Sequence, residues 1–114
     1  MKIVRKLIDS VVILDITGEI RLGESAEEFS RVLETVLQDA AVTGVILGME
    51  NINYMDSTGL GELVGYLSRF QDRGKRLRLV RPNQTVLKLL HLTKLDQIFK
   101  VCVDEASALE DFVS

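Results

Sequence analysis

A single cysteine, Cys102, excludes an internal disulfide, so packing rather than a covalent staple must hold this chain together. The lone thiol sits between Val101 and Val103 and reads as a small hydrophobe in a strand. There is one histidine, His91, and no group of Cys, His, Asp and Glu at metal-ligand spacing, which leaves no metal site to expect. No segment reaches the roughly 18 apolar residues that a membrane helix needs, which argues against direct membrane insertion. Met1 to Ile8 mixes Lys2, Arg5 and Lys6 with aliphatics and lacks the apolar block and cleavage site of a signal peptide. A soluble cytoplasmic protein is the expectation. Net positive charge is also missing. At −3 the chain has no electrostatic basis for binding nucleic acid, and the basic residues gathered between Arg69 and Arg81 read as a solvated face.

What is present is ordinary for a globular domain. With 46% hydrophobic and 27% charged residues, 114 residues suffice for one core, and a single domain over 1–114 is expected. Ile3–Ile8 and Val11–Thr17 are β-branched-rich runs around a tight turn at Asp9-Ser10. A loop over Gly18–Glu24 leads to Ser25-Ala26-Glu27-Glu28, the pattern of a capping box. Ala26, Phe29, Val32, Leu33, Val36 and Leu37 then recur at helical spacing. Val45–Met49 is a short apolar run suited to a sheet interior. After Asp56-Ser57 a second helix carries Leu60, Leu63, Val64, Leu67 and Phe70 and stops at Gly74. Arg76–Val80 alternates as a strand, and Asn83 caps a third helix with Val86, Leu87, Leu89 and Leu90. Val101–Val103 and Ala106–Val113 close the chain as strand and helix. The order predicts an α/β domain: a mixed sheet of about five strands, opened by a hairpin and continued by alternating β/α units, packed by about four helices.

The chemistry concentrates at Tyr54-Met55-Asp56-Ser57-Thr58-Gly59-Leu60-Gly61, where a strand ends and a helix begins. Three hydroxyl or carboxylate side chains in a row exceed what one cap requires. Gly61 and Gly65 are costly inside a helix, each about 1 kcal/mol relative to alanine. At 100° per residue, Ser57, Gly61, Gly65 and Ser68 share a strip with little side-chain bulk, next to the apolar stripe. Either another protein approaches this bare strip closely, or it packs against this domain. Tyr54 and Met55 are expected to pack on the sheet.

Ser57 does not read as a hydrolase nucleophile, because Met55 replaces the glycine of a Gly-x-Ser-x-Gly elbow. His91 lies far along the chain on a leucine-rich helix, where a structural role is expected. The glycines form neither Gly-x-Gly-x-x-Gly nor a Walker loop, so no nucleotide cofactor is implied. A non-enzymatic protein without a cofactor is the reading.

Asp56-Ser57-Thr58-Gly59-Leu60-Gly61 resembles the Asp-Ser-(Ser/Thr)-Gly-Leu-Gly signature of STAS-domain anti-sigma-factor antagonists. Gly18-Glu19-Ile20 is similar to that family's turn after the second strand, Leu92-Thr93-Lys94-Leu95 to its Leu-Thr-Gly-Leu, and Glu105-Ala106 with Leu109 to its last helix. The resemblance implies a protein-binding switch. When unmodified, such a protein holds an anti-sigma factor that is also a serine kinase, and a sigma factor is released for transcription. The kinase phosphorylates the motif serine, here Ser57, and a serine phosphatase resets it. The implied partner surface is Asp56, Thr58, Gly59, Leu60, Gly61 and Gly65, together with Arg21. Three positions depart from the pattern. Arg21 replaces an acidic residue, Gly48 an Asp or Asn, and Lys94 a glycine. Arg21 either pairs with a phosphate on Ser57, alters kinase choice, or is simply solvated. STAS-like domains also serve as accessory subunits of ABC-type membrane transport complexes, a second class of binding module that needs no phosphoswitch.

Overall fold

The computed structural model describes residues 1–113; Ser114, the last residue of the expected domain, lies outside them. The element order is β1 (Lys2–Ile8), β2 (Val11–Ile20), α1 (Glu24–Gln38), β3 (Gly44–Met55), α2 (Ser57–Asp72), β4 (Arg76–Val80), α3 (Gln84–Leu92), a 3₁₀ turn at Leu95–Gln97, β5 (Lys100–Cys102) and α4 (Glu105–Val113). The five strands lie in sequence order, β1-β2-β3-β4-β5, in one mixed sheet. β1 and β2 form the expected antiparallel hairpin, with Asp9 taking the left-handed conformation the turn needs (φ 54°). The remaining strand pairs are parallel, as strand–helix alternation requires.

One face of the sheet presents Val12, Leu14, Ile16, Val45, Leu47, Met49, Leu77 and Leu79 to α1, α2 and α3 and forms the main core. The other face is covered in part by α4, over Val11, Ile13, Ile46, Val80 and Cys102. Cys102 is buried there, and burial pushes its thiol pKa up, as suits a hydrophobe in a strand. No helix among the described residues is long and apolar enough to cross a membrane.

Four local expectations are corrected. The capping box does not form. α1 begins at Glu24 behind Gly23, and Ser25 Oγ instead accepts from the N–H of Arg21 (2.9 Å), tying down the loop before the helix. Gly18–Ile20 belongs to β2 rather than to a loop, accommodated by register shifts at Asp15/Thr17 and Gly18/Glu19. β3 runs seven residues further in all than Val45–Met49, from Gly44 to Met55. Beyond Gly48 it pairs with β2 but no longer with β4, so its far half is covered less and tolerates polar residues that obscure the strand signal. Tyr54, finally, is 41% exposed, while Met55 is buried. The terminal elements shift by a residue.

Other expectations stand. Asn83 Oδ1 accepts from Val86 N–H (3.1 Å) to cap α3. At the end of α2, Gly74 adopts φ 69° and donates to Gln71 O (2.9 Å), while Lys75 N–H reaches Phe70 O (2.8 Å), a Schellman closure. Lys94 carries φ 60° without being glycine, the strained position at which the resembled pattern has glycine. The basic residues of 69–81 do not form one solvated face as expected, being engaged by partners within the domain. Arg69 pairs with Glu34 (2.6 Å), Arg81 with Glu50 (3.4 Å), and Lys75 donates to Leu37 O and Asp39 O (2.7 and 2.8 Å).

α4 is latched to the sheet through Asp111, which accepts from Arg78 on β4 and from Lys100 on β5. The hydrogen bond from Arg78, then that from Lys100, hold the Asp111 carboxyl at about 2, against the raising effect of burial. Because the folded-state pKa is depressed, this stabilisation is complete above about pH 4 and is lost as pH falls through about 2. Asp111→Asn should therefore lower stability at neutral pH by about 1 kcal/mol, part of the charge effect being screened by water. It should also flatten the dependence of Tm on pH between 4 and 2. Thermal melts of both proteins across that range, with hydrogen exchange of α4, check this.

Candidate functional site

The parallel strands β2 and β3 finish side by side, with Ile20 opposite Met55. Asp56 N–H donates to Ile20 O (3.1 Å), which brings the two chain exits together. Asp56 then serves both. Its Oδ1 accepts from Gly59 N–H (2.9 Å) as the N-cap of α2, and its Oδ2 accepts from Leu22 N–H (2.8 Å) in the loop before α1. The hydrogen bonds from the Gly59 and Leu22 amides hold its carboxyl below the usual range, with smaller help from the Thr58 amide and the Arg21 charge. A hydrophobic cap could not join the two loops in this way.

Ser57 follows as the first residue of α2 and is exposed. Gly61, Gly65 and Ser68 are exposed along the same helix, and no atom outside the helix's own backbone lies within 4 Å of where a Cβ would stand on Gly61 or Gly65. The bare strip thus faces solvent and does not pack against this domain. Gly59 is different. A Cβ there would lie 2.8 Å from Ile20 Cγ2 and 2.9 Å from Ile20 O, so only glycine lets α2 start this close to the end of β2. Gly59 and Leu60 are both buried, and their part in the site is to position it rather than to form its surface.

Thr58 is half-buried and opens onto a groove of about 510 Å³ between α1 and α2, lined also by Glu27, Arg31, Glu34, Glu62 and Tyr66. Tyr66 was not singled out by sequence, since a tyrosine off the aliphatic stripe gives no signal. It is buried, and its hydroxyl donates to Glu34 Oε1 (3.1 Å), joining the two helices. On the other side of the motif, Arg21 lies over the Tyr54 ring (4.6 Å to its centroid) and pairs with Glu19 (2.9 Å). Gly48 lies apart from the motif, under Asp15, whose Oδ1 occupies the space a Cβ at 48 would need. His91 pairs with Asp96 (3.3 Å), and no hydrogen bond among the described residues joins it to Ser57.

A strand–helix junction built in this way, in this strand order, has known counterparts. The STAS domain profile matches residues 2–108. The chain belongs to the STAS-domain anti-sigma-factor antagonist family. A Thermotoga maritima protein, provisionally named as an anti-sigma factor antagonist, is 30% identical over 106 residues, 93% of each chain. A crystal structure of such a protein from that organism superposes with a TM-score of 0.87 at 30% identity, covering 96% of this chain and 92% of the other. The anti-sigma F factor antagonist of Paenibacillus polymyxa is 26% identical over 102 residues, 89% of this chain and 86% of its own. The Bacillus protein SpoIIAA shares the fold in both its unphosphorylated and phosphorylated forms, with TM-scores of 0.81 and 0.76 at 22% and 21% identity, each covering 97% of this chain.

Within this STAS domain the two motif glycines should behave oppositely. Gly59→Ala should cost about 1–3 kcal/mol, because the added methyl overlaps backbone and a packed isoleucine. Gly61→Ala should be neutral or gain up to about 1 kcal/mol from helix propensity alone. Denaturant melts of the two variants test the assignment, and equal destabilisation by both would mean the strip is not open.

Proposed function

We propose that this STAS domain is a phosphorylation-switched binding protein. Unmodified, it holds an anti-sigma factor with serine kinase activity, and a sigma factor is freed for transcription. Phosphorylation of Ser57 by that kinase ends the complex, and a serine phosphatase restores it. The protein acts by binding and not by catalysis. The observation that carries this reading is the position of Ser57: exposed at the first turn of α2, at the head of a glycine strip that leaves the helix backbone open to a partner. Asp56, Thr58, Gly61 and Gly65 at the same junction and along α2, with Arg21 in the loop that Asp56 fastens, form the proposed contact surface. The names of the relatives, antagonists of anti-sigma factors, support the same reading.

Electrostatics suits a phosphoserine here. A phosphate adds about −1.5 to −2 charge, and the N-terminal end of a helix stabilises negative charge. The fold should therefore persist while the contact surface gains a bulky anion. Melting temperatures of the two forms should differ by a few degrees only, the change expected for about 1 kcal/mol or less.

Incubation with ATP and the serine-kinase anti-sigma factor from the same genome should place one phosphate on Ser57, read by mass spectrometry. Ser57→Ala should keep binding and stay locked in the bound state, while Ser57→Asp should bind more weakly. Gly61→Leu should fold and yet fail to bind, because its side chain holds the partner off the strip. Phosphate on Thr58, or on neither residue, would overturn the assignment, as would normal binding by a stable Gly61→Leu protein.

A further inference from the structure

The geometry points to Arg21 as a built-in clamp for a phosphate on Ser57, a role that rests on the phosphoswitch reading above. Arg21 occupies the loop that Asp56 fastens to the start of α2. The amide of the next residue, Leu22, donates to Asp56 Oδ2 (2.8 Å), and Ser57 is the residue after Asp56. Its guanidinium already acts on this carboxylate, being among the charges that lower the Asp56 pKa.

In the unmodified protein Arg21 is held elsewhere, by Glu19 (2.9 Å) and over the Tyr54 ring. Both partners of the ion pair are about half exposed, 52% for Arg21 and 49% for Glu19, and an ion pair so open to water binds its arginine weakly. A phosphate changes the competition. It carries nearly two charges and three acceptor oxygens against one carboxylate, and a guanidinium fork can grip it with two parallel hydrogen bonds. It also appears beside the carboxylate of Asp56, where a second anion needs a cation to offset the repulsion. The other charged groups around it do not supply one as directly. Glu62 on α2 and Glu27 on α1 are acidic, Arg31 on α1 lines the Thr58 groove among the carboxylates of Glu27, Glu34 and Glu62, and Lys88 on α3 lines a separate apolar groove with Tyr54, Met55 and Leu89.

On phosphorylation Arg21 leaves Glu19 and Tyr54 and closes on the phosphate. The modification then alters two places at once: Ser57 is covered by a neutralised anion, and the Tyr54 ring and Glu19 are uncovered. The clamp also shields the phosphate ester, so the phosphorylated form should persist longer against a phosphatase.

The backbone of Arg21 carries the structural load. Its N–H donates to Ser25 Oγ (2.9 Å) and its carbonyl accepts from Ala26 N–H (3.1 Å), so replacing the side chain leaves these bonds in place. Phosphoserine incorporated at position 57 during translation, by codon suppression, supplies the modified protein without any kinase. The second pKa of the phosphate, near 6 when free, is then read by ³¹P NMR titration. It is expected to lie about half a unit or more higher in Arg21→Ala than in the unsubstituted phosphoprotein, with Arg21→Lys recovering part of the difference. Lys88→Ala and Arg31→Ala should each leave it unchanged. Equal titration of the phosphoprotein with and without Arg21, or a shift caused by Lys88→Ala in place of Arg21→Ala, would overturn the clamp. Failure of the switch itself would show separately, as no phosphate transfer from ATP or unchanged partner binding.

Discussion

One carboxylate holds the functional end of this protein together. Asp56 accepts from Gly59 on the helix side and from Leu22 on the loop side, so the start of α2 and the approach to α1 are fixed by the same residue. Loops at the carboxyl ends of parallel strands ordinarily move independently. Here the backbone bond from Asp56 N–H to Ile20 O and the two side-chain bonds make them one unit. The exposed hydroxyl of Ser57 therefore sits on a rigid base, while its side chain stays accessible. The proposed phosphorylation and partner binding would both use that combination.

The sheet makes this possible through unequal strand lengths. β3 has twelve residues and β4 five, so β3 and β2 run on together past the point where β4 stops. The extension carries the motif beyond the α4-covered half of the sheet. It also explains why the site differs from the core in its use of glycine. Gly59 is required where α2 touches Ile20, and Gly61 and Gly65, about one and two turns beyond Ser57, face open space. The first glycine fits a packing constraint. The others have no packing reason within the domain, and their helix-propensity cost is consistent with a surface kept clear for a second protein.

Much of this was legible in the chain because local signals and global order agreed. The hairpin, the α2 and α3 stripes, Asn83 as a cap and the Gly74 stop each followed from a few residues with strong steric or hydrogen-bonding preferences. The misreadings have equally local causes. Ser25 offered a hydroxyl in capping register with Glu28, but its oxygen was engaged by the Arg21 amide, a tertiary detail that spacing cannot reveal. The far half of β3 was missed because the exposed Glu50, Asn51, Asn53 and Tyr54 break up its apolar pattern where β4 no longer pairs with it. At the site, sequence singled out the motif, but the division between buried Gly59 and Leu60 and exposed Ser57 and Gly61 depends on how α2 rolls against Ile20. The pairing of Arg21 with Glu19 and Tyr54 depends on a register shift at Gly18/Glu19.

The occupied cap bears on how a charge added at Ser57 would be felt. A helix start with no acceptor could take up a phosphate as its own N-cap, and the modification would then act mainly on the fold. In this protein Asp56 already fills that place, with its carboxyl held in the ionised form by the amides of Gly59 and Leu22. A phosphate on the next residue would add to a satisfied cap instead of completing an empty one. The helix field still favours the charge, but the neighbouring carboxylate opposes it, and the two effects offset within the domain. What would reach a partner is the bulk of the phosphate, together with whatever charge Arg21 leaves uncompensated, presented beside Gly61 and Gly65, where no side chain stands in the way. The same arrangement that joins the two loops would thus direct the consequence of the proposed phosphorylation away from the core and onto the face a partner would meet.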